Sequence, residues 1–174
     1  FQQSLSLVCS GYFRKTFGEI KKINCTRELI TLDRQLAKNC VGNSMLTLKE
    51  RVIAVGLFDE SLPAWQDYDL WTRLITNFGP GLRISEPSYV VHWDHQKPRV
   101  SRNASKGAEL FLAKHSTKMQ PRHIKRQKLE AFMIQEKKMT VADFMAHLSP
   151  VNFPDVFRYF VTSNFPHLRN LRRD

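Results

Sequence analysis

Four acidic residues, two tryptophans and a tyrosine fall within residues 56–74, GLFDESLPAWQDYDLWTRL, of a chain whose formal net charge is +11. Carboxylates gathered beside aromatic rings have two uses. One is structural. Asp67, just ahead of an apolar helical pattern, reads as an N-cap that satisfies free backbone N–H groups and meets the positive end of the helix dipole. Asp69 and Arg73, at i and i+4, read as a pair on the exposed helix face, a weak stabilising contact. The other use is catalytic. A carboxylate held rigidly at a helix start and ionised near neutral pH can accept a proton from a hydroxyl as that hydroxyl attacks. Asp69 has a local partner and Asp67 has none, so Asp67 is the candidate base. Trp65, directly before it, is the candidate wall of a sugar site.

These residues need elements to hold them. Leu70, Trp71, Leu74, Ile75 and Phe78 recur at i, i+1, i+4, i+5 and i+8, which predicts one helix over 67–78 with a continuous apolar face, stopped by GPG at 79–81. Upstream, the alternating residues 4–13 predict one strand, 14–25 a hairpin or loop, and 27–39 a short helix. Residues 44–48 predict a strand and 49–55 a helical turn closed by Gly56. Residues 88–93 predict a further strand. Past Pro98 the pattern is helical over 104–119, 121–139, 140–148 and 152–161. Thr140 with Asp143, and Asn152 with Asp155, have capping-box spacing. The expected class is α/β, divided into a strand–helix unit over 1–98 and a basic helical region over 99–174.

Charge is uneven between the two. Residues 1–98 carry 12 Lys and Arg against 10 Asp and Glu, and residues 99–174 carry 15 against 6. A basic face suits an anionic partner. No helix-turn-helix spacing, zinc finger or RNP-like motif accompanies it, so no nucleic acid is expected. An anionic membrane surface fits better, because the aromatic stripe at 153–161 and LRNLRR after it suit a helix lying on a bilayer. The same stripe also suits a helix facing a core. Cys9, Cys25 and Cys40 form no CxxC pair and fit reduced cytosolic thiols. No apolar run approaches the roughly 18 residues of a membrane span. The expected location is therefore cytoplasmic, either free or peripheral on the cytoplasmic face of a membrane. The start at Phe1 reads as a piece of a longer protein.

The order NSMLTLKERVIAVGLFDESLPAWQDYDLWTRL, with SEPSYVVHWDH after it, resembles the second half of family 2 glycosyltransferases of the GT-A fold. It looks most like bacterial enzymes that build lipopolysaccharide and other surface polysaccharides. Phe58, Asp59 and Glu60 match the family's G-x-F-D-E element. Gln66, Asp67, Asp69, Leu70 and Arg73 match its acidic helix start. The resemblance implies that Asp67 is the general base of an inverting transfer from a nucleotide-sugar, most plausibly UDP-linked, to a glycan or lipid-linked acceptor. It implies substrate contacts for Trp65, Gln66, Asn43 and Ser44, and diphosphate contacts for Arg99 and Ser101. His92 lies where some members place a histidine that reaches the metal–diphosphate, although a strand histidine with one exposed face reads as well. Gln66 stands where the family often has Glu. The family's metal-binding D-x-D motif has no counterpart here, since DYD at 67–69 opens a helix. The implied divalent metal, Mn²⁺ or Mg²⁺, would take its main ligands outside this chain, and the chain alone would lack activity. The alternative is a non-catalytic interaction or membrane-binding domain with a transferase-like fold.

Overall fold

The computed structural model describes residues 4–92 and 103–167. They form an α/β structure of two small mixed sheets and seven α-helices. The residues predicted as one strand at the start make two, β1 (Val8–Ser10) and β2 (Tyr12–Thr16), and they belong to different sheets. The chain then reverses through Phe17 and Gly18, both at positive φ as a tight hairpin turn requires, into β3 (Glu19–Ile23). This is the hairpin that the polar residues 14–25 left open.

The predicted helix over 27–39 forms only in its second half. Glu28–Ile30 is a strand, β4, and Thr31 caps the short α1 (Leu32–Ala37) by accepting from the Arg34 N–H at 3.4 Å. Tertiary pairing overrides the helical spacing here. β4 runs antiparallel to β6 (Gly81–Ile84), and Glu28 is ion-paired to Arg83 of that neighbour at 2.6 Å. β6 begins inside the GPG segment, where the sequence predicts only a helix stop. The first sheet is completed by β5 (Met45–Leu46) and has the order β4–β6–β1–β5, with β1 and β6 parallel. The second has the order β3–β2–β7, where β7 is Val90–His92.

α2 (Lys49–Ala54) and α3 (Gln66–Phe78) follow the reading of the sequence closely. The apolar face of α3 packs as its period required: Leu70, Trp71, Leu74 and Ile75 join Leu7, Cys9 and Ile30 of the sheet in one core, with Phe78 against it. The opposite side of α3 is also covered, by α4 (Ala104–His115) and α5 (Pro121–Ile134). α4 approaches so closely that a Cβ on Gly107 would stand 2.6 Å from the Ala64 carbonyl oxygen, immediately before Trp65. Gly107→Ala is therefore expected to force α4 off the loop and lower stability by about 1–3 kcal/mol, read as a lower denaturant midpoint with an unchanged m-value.

α6 (Val141–His147) starts with the expected capping box: the Asp143 N–H donates to Thr140 Oγ1 at 3.1 Å, and the Thr140 N–H donates to Asp143 Oδ2 at 3.0 Å. α7 (Phe153–Asn164) does not repeat it. Asn152 is buried at the cap position, and its side-chain amide donates instead to the Lys125 carbonyl at 3.0 Å, tying α7 to α5. Leu129, Met139 and Val156 centre this second cluster, with Phe144 and Phe160 packed on it.

Candidate active site

α3 begins abruptly. Trp65 occupies its cap position in the left-handed conformation, φ +67°, without a side-chain cap bond. A bulky residue rarely holds that conformation, and here rings fix it. The Trp65 indole packs at 5.5 Å from Tyr68 and at 5.7 Å, edge to face, from Phe111 of α4. Tyr68 and Phe111 stack at 4.2 Å. The Tyr68 hydroxyl is held in turn by Gln35 and by Gln127 of α5. Three helices thus fix the backbone that enters α3.

Asp67 is the second residue of that helix and not its cap, as the structural reading of the sequence had it. Its Oδ1 accepts from the neighbouring Tyr68 N–H at 2.7 Å. Burial pushes its carboxyl above the ordinary aspartate value, and the backbone bonds offset only part of that. It faces two depressions. One, of about 400 Å³, is lined by Phe58, Asp59, Glu60, Leu62 and Gln66. The other, of about 170 Å³, lies between Trp65, the residues Lys38 and Asn39 after α1, and Gln127 and Ile134 of α5. A half-buried carboxylate with raised basicity and open space on both sides is suited to proton transfer.

Asp69 differs from the sequence reading. It is fully buried and not on an exposed face. Arg73 pairs with it as expected, through Nε at 2.9 Å and Nη2 at 2.7 Å. Two residues of α4 join them: Lys114 Nζ at 3.0 Å and His115 Nε2 at 2.8 Å. Burial works against the charge of Asp69, but the bonds from His115, Arg73 and Lys114 outweigh it and hold the carboxyl below its ordinary range. Lys114 also reaches Asp59 at 2.6 Å and, with Ser61, depresses that carboxyl as well. Arg73 continues to the carbonyls of Val55 and Leu57. The FDE loop is thereby anchored to α3 from both ends. Asp67 is left as the carboxylate of this helix start with no cation bound to it in any described contact.

The remaining expected site residues are spread out. Trp65, Gln66 and Asp67 stand together. Asn43 and Ser44 lie on the turn before β5 and line neither depression, although the Trp71 indole holds that turn to α3 by donating to the Gly42 carbonyl at 2.9 Å. His92 is exposed on β7, opposite Lys15 of β2. No group of three His, Cys, Asp or Glu residues among the described residues could hold a metal ion. Arg99 and Ser101 lie outside the described residues. Sequence reasoning passed over Lys114, His115 and Gln127, which act across 45 to 91 residues of chain. No local spacing marks such partners.

No protein-family model matches the chain, and no solved structure matches it. Over 117 residues it is 29% identical to a protein of Escherichia coli (strain K12) named "Putative colanic acid biosynthesis glycosyl transferase WcaA". The match covers 66% of this chain and 42% of that protein, so the chain spans less than half of its relative's length. By this similarity the chain is related to a glycosyltransferase.

Proposed function

We propose that this chain is the acceptor-side half of an inverting family 2 glycosyltransferase of the GT-A fold, acting in bacterial surface polysaccharide synthesis. Asp67 is its general base. The observation that carries this is the pairing pattern at the start of α3: Arg73 and Lys114 are engaged by Asp69 and Asp59, while Asp67 borders open space. The name of the E. coli relative supports the reaction class. In the proposed step Asp67 takes the proton of the acceptor hydroxyl. The oxygen then bonds to the anomeric carbon of a UDP-sugar, and the nucleotide diphosphate leaves with the electron pair of the broken bond, inverting the centre. Gln66 and Trp65 contact substrate. Arg99 and Ser101 meet the diphosphate. The divalent metal, Mn²⁺ or Mg²⁺, takes its main ligands outside this chain, with His92 as an auxiliary ligand at most.

The test is nucleotide release from a panel of UDP-sugars with Mn²⁺, using a version of the protein extended upstream of Phe1 and a membrane extract as acceptor. Release that requires the extract supports the reading. Absence of both UDP binding and release in the extended protein would favour a non-catalytic interaction domain.

Contact with an anionic membrane belongs to the same proposal. The aromatic stripe of α7 divides in two. Val156 and Phe160 face the second core, whereas Phe153 and Phe157 are about half exposed, with rings stacked 6.0 Å apart. Val141 and Met145 of α6 are also exposed. Apolar side chains on a basic region suit insertion at an anionic interface. No helix among the described residues is long and apolar enough to cross a membrane. Co-sedimentation with phosphatidylglycerol-containing vesicles, but not neutral ones, is expected, with clear loss in the Phe153→Ala, Phe157→Ala double variant. Equal sedimentation with both vesicle types would remove the membrane from the proposal.

A further inference from the structure

The sheet with the order β3–β2–β7 has a face that the proposed site does not use. Side chains alternate along each strand, and paired residues share a face. One face therefore holds Tyr12 with Ile23, Arg14 with Lys21, and Thr16 with Glu19. At its base this face is turned toward the chain, where Tyr12 packs on Tyr89 at 5.5 Å. The carboxylate of the hairpin, Glu19, lies on it, 3.9 Å from Lys21. The other face pairs Phe13 with Lys22 and Val90, and Lys15 with Ile20 and His92. It is the outward one: Val90 and His92 are exposed while Val91 between them is half-buried, and Ile20 and Lys22 are exposed as well. It carries lysines and apolar side chains without a carboxylate, and no described ion pair engages Lys15 or Lys22.

The hairpin tip departs from what its turn favours. Phe17 and Gly18 have φ of +45° and +90°. A two-residue turn with both φ positive favours Asn or Asp before Gly, and a bulky residue in that region is uncommon. Trp65 is held there by the rings around it, but Phe17 is 86% exposed, so little burial within the chain offsets the cost. A Cβ on Gly18 would meet no atom within 4 Å, so the turn stands in open space. Strain of this kind, at an exposed tip, points to a role outside the fold.

We infer that the β2–β3 hairpin docks on an anionic lipid bilayer, with Phe17 and Ile20 entering the interface and Lys15 and Lys22 at the headgroup phosphates. The charge selects an anionic partner, and the apolar side chains select among such partners. Lysines alone would serve a soluble polyanion, whereas Phe17 and Ile20 gain free energy where acyl chains take them out of water. This contact goes beyond the transferase reading and is independent of Asp67 and of α7. It lies in the strand–helix unit, not in the basic helical region.

The test is co-sedimentation of the full chain with vesicles of phosphatidylglycerol and phosphatidylcholine, against phosphatidylcholine alone. It is run in the wild type and in the Phe153→Ala, Phe157→Ala background. Phe17→Asn should lower the partition coefficient about tenfold in both, the scale of one apolar side chain returned to water. The same change should raise the denaturant midpoint, because Asn suits the turn. Lys15→Ala and Lys22→Ala should each lower partitioning about fivefold on the anionic vesicles. Weaker binding by a more stable protein is not what a purely structural tip would give. If Phe17→Asn loses binding while the Phe153→Ala, Phe157→Ala variant does not, the hairpin contact stands and the α7 contact falls. Phe17→Asn that sediments as its parent does would overturn the inference, as would a wild type that does not sediment. Loss in the lysine variants alone would assign the face to a soluble polyanion and overturn it too.

Discussion

Asp67→Asn is expected to abolish most sugar transfer, by about 10²–10⁴-fold in kcat, while leaving the fold and KM near those of the wild type. The Asn amide oxygen can still accept from the Tyr68 N–H, the one hydrogen bond that the Asp67 side chain makes to a neighbouring residue. The rings that lock Trp65 do not involve the carboxylate. What is lost is the ability to take a proton. The pH profile gives a second reading of the same group. The base must be ionised, and burial raises its pKa. The acid limb of kcat/KM should then lie above the ordinary aspartate value of about 3.9, and moving Asp67 to Glu should shift it. An extended protein with Asn at 67 and undiminished turnover would remove Asp67 from the chemistry. Its neighbour Asp59, whose carboxyl is held by Lys114, would be a poor substitute because its basicity is depressed.

The second large effect is on stability. Asp69→Ala should destabilise the fold by about 3–5 kcal/mol, the range for removing one partner of a buried ion pair. The residue is 0% exposed and takes hydrogen bonds from Arg73, Lys114 and His115. His115 is itself 2% exposed, so its Nε2 would be left without its hydrogen-bond partner in a dry site. The effect depends on pH with a definite sign. Because the folded-state pKa of Asp69 is depressed, its contribution is complete above about pH 4 and is lost as the pH falls through the folded value. Urea denaturation at pH 7 should therefore show the full gap between wild type and Asp69→Ala, and the gap should narrow below pH 4. A loss under about 1 kcal/mol at pH 7 would mean that α4 is held mainly by Phe111 and Gly107, and not by this carboxylate. The same change should loosen the FDE loop, since Lys114 joins Asp59 to Asp69. Activity would fall with stability for that reason.

These two aspartates separate what could be read along the chain from what could not. The contrast between them was legible in kind: Asp69 pairs with Arg73 four residues on, because i and i+4 meet on any helix. The place of the pair was not. Helical spacing around 69 leaves it on the face away from Leu70 and Leu74, and such a face is solvated unless another element covers it. α4, some 45 residues later, covers it and brings Lys114 and His115. Gln127 escaped notice for a related reason, since a glutamine in a polar helix reads as solvated until α5 is laid against Tyr68 and Leu36.

Among the elements, those fixed within one turn or one hairpin followed from the residues alone. The apolar face of α3, the Thr140–Asp143 capping box and the G-P-G stop all depend on neighbours three or four positions away. The strands did not follow in the same way. β4 has helical spacing, yet it is extended because β6 and Arg83, more than fifty residues on, pair with it. Residues 4–13 have one alternation and serve two sheets. The candidate base was visible because the sequence displays a helix start directly. Its surroundings on both sides, and the basicity that burial gives it, were decided only when α1, α4 and α5 closed around that start. Local periodicity is set by backbone geometry within a few residues, whereas burial of a charge is set by whichever distant segment arrives to exclude the water.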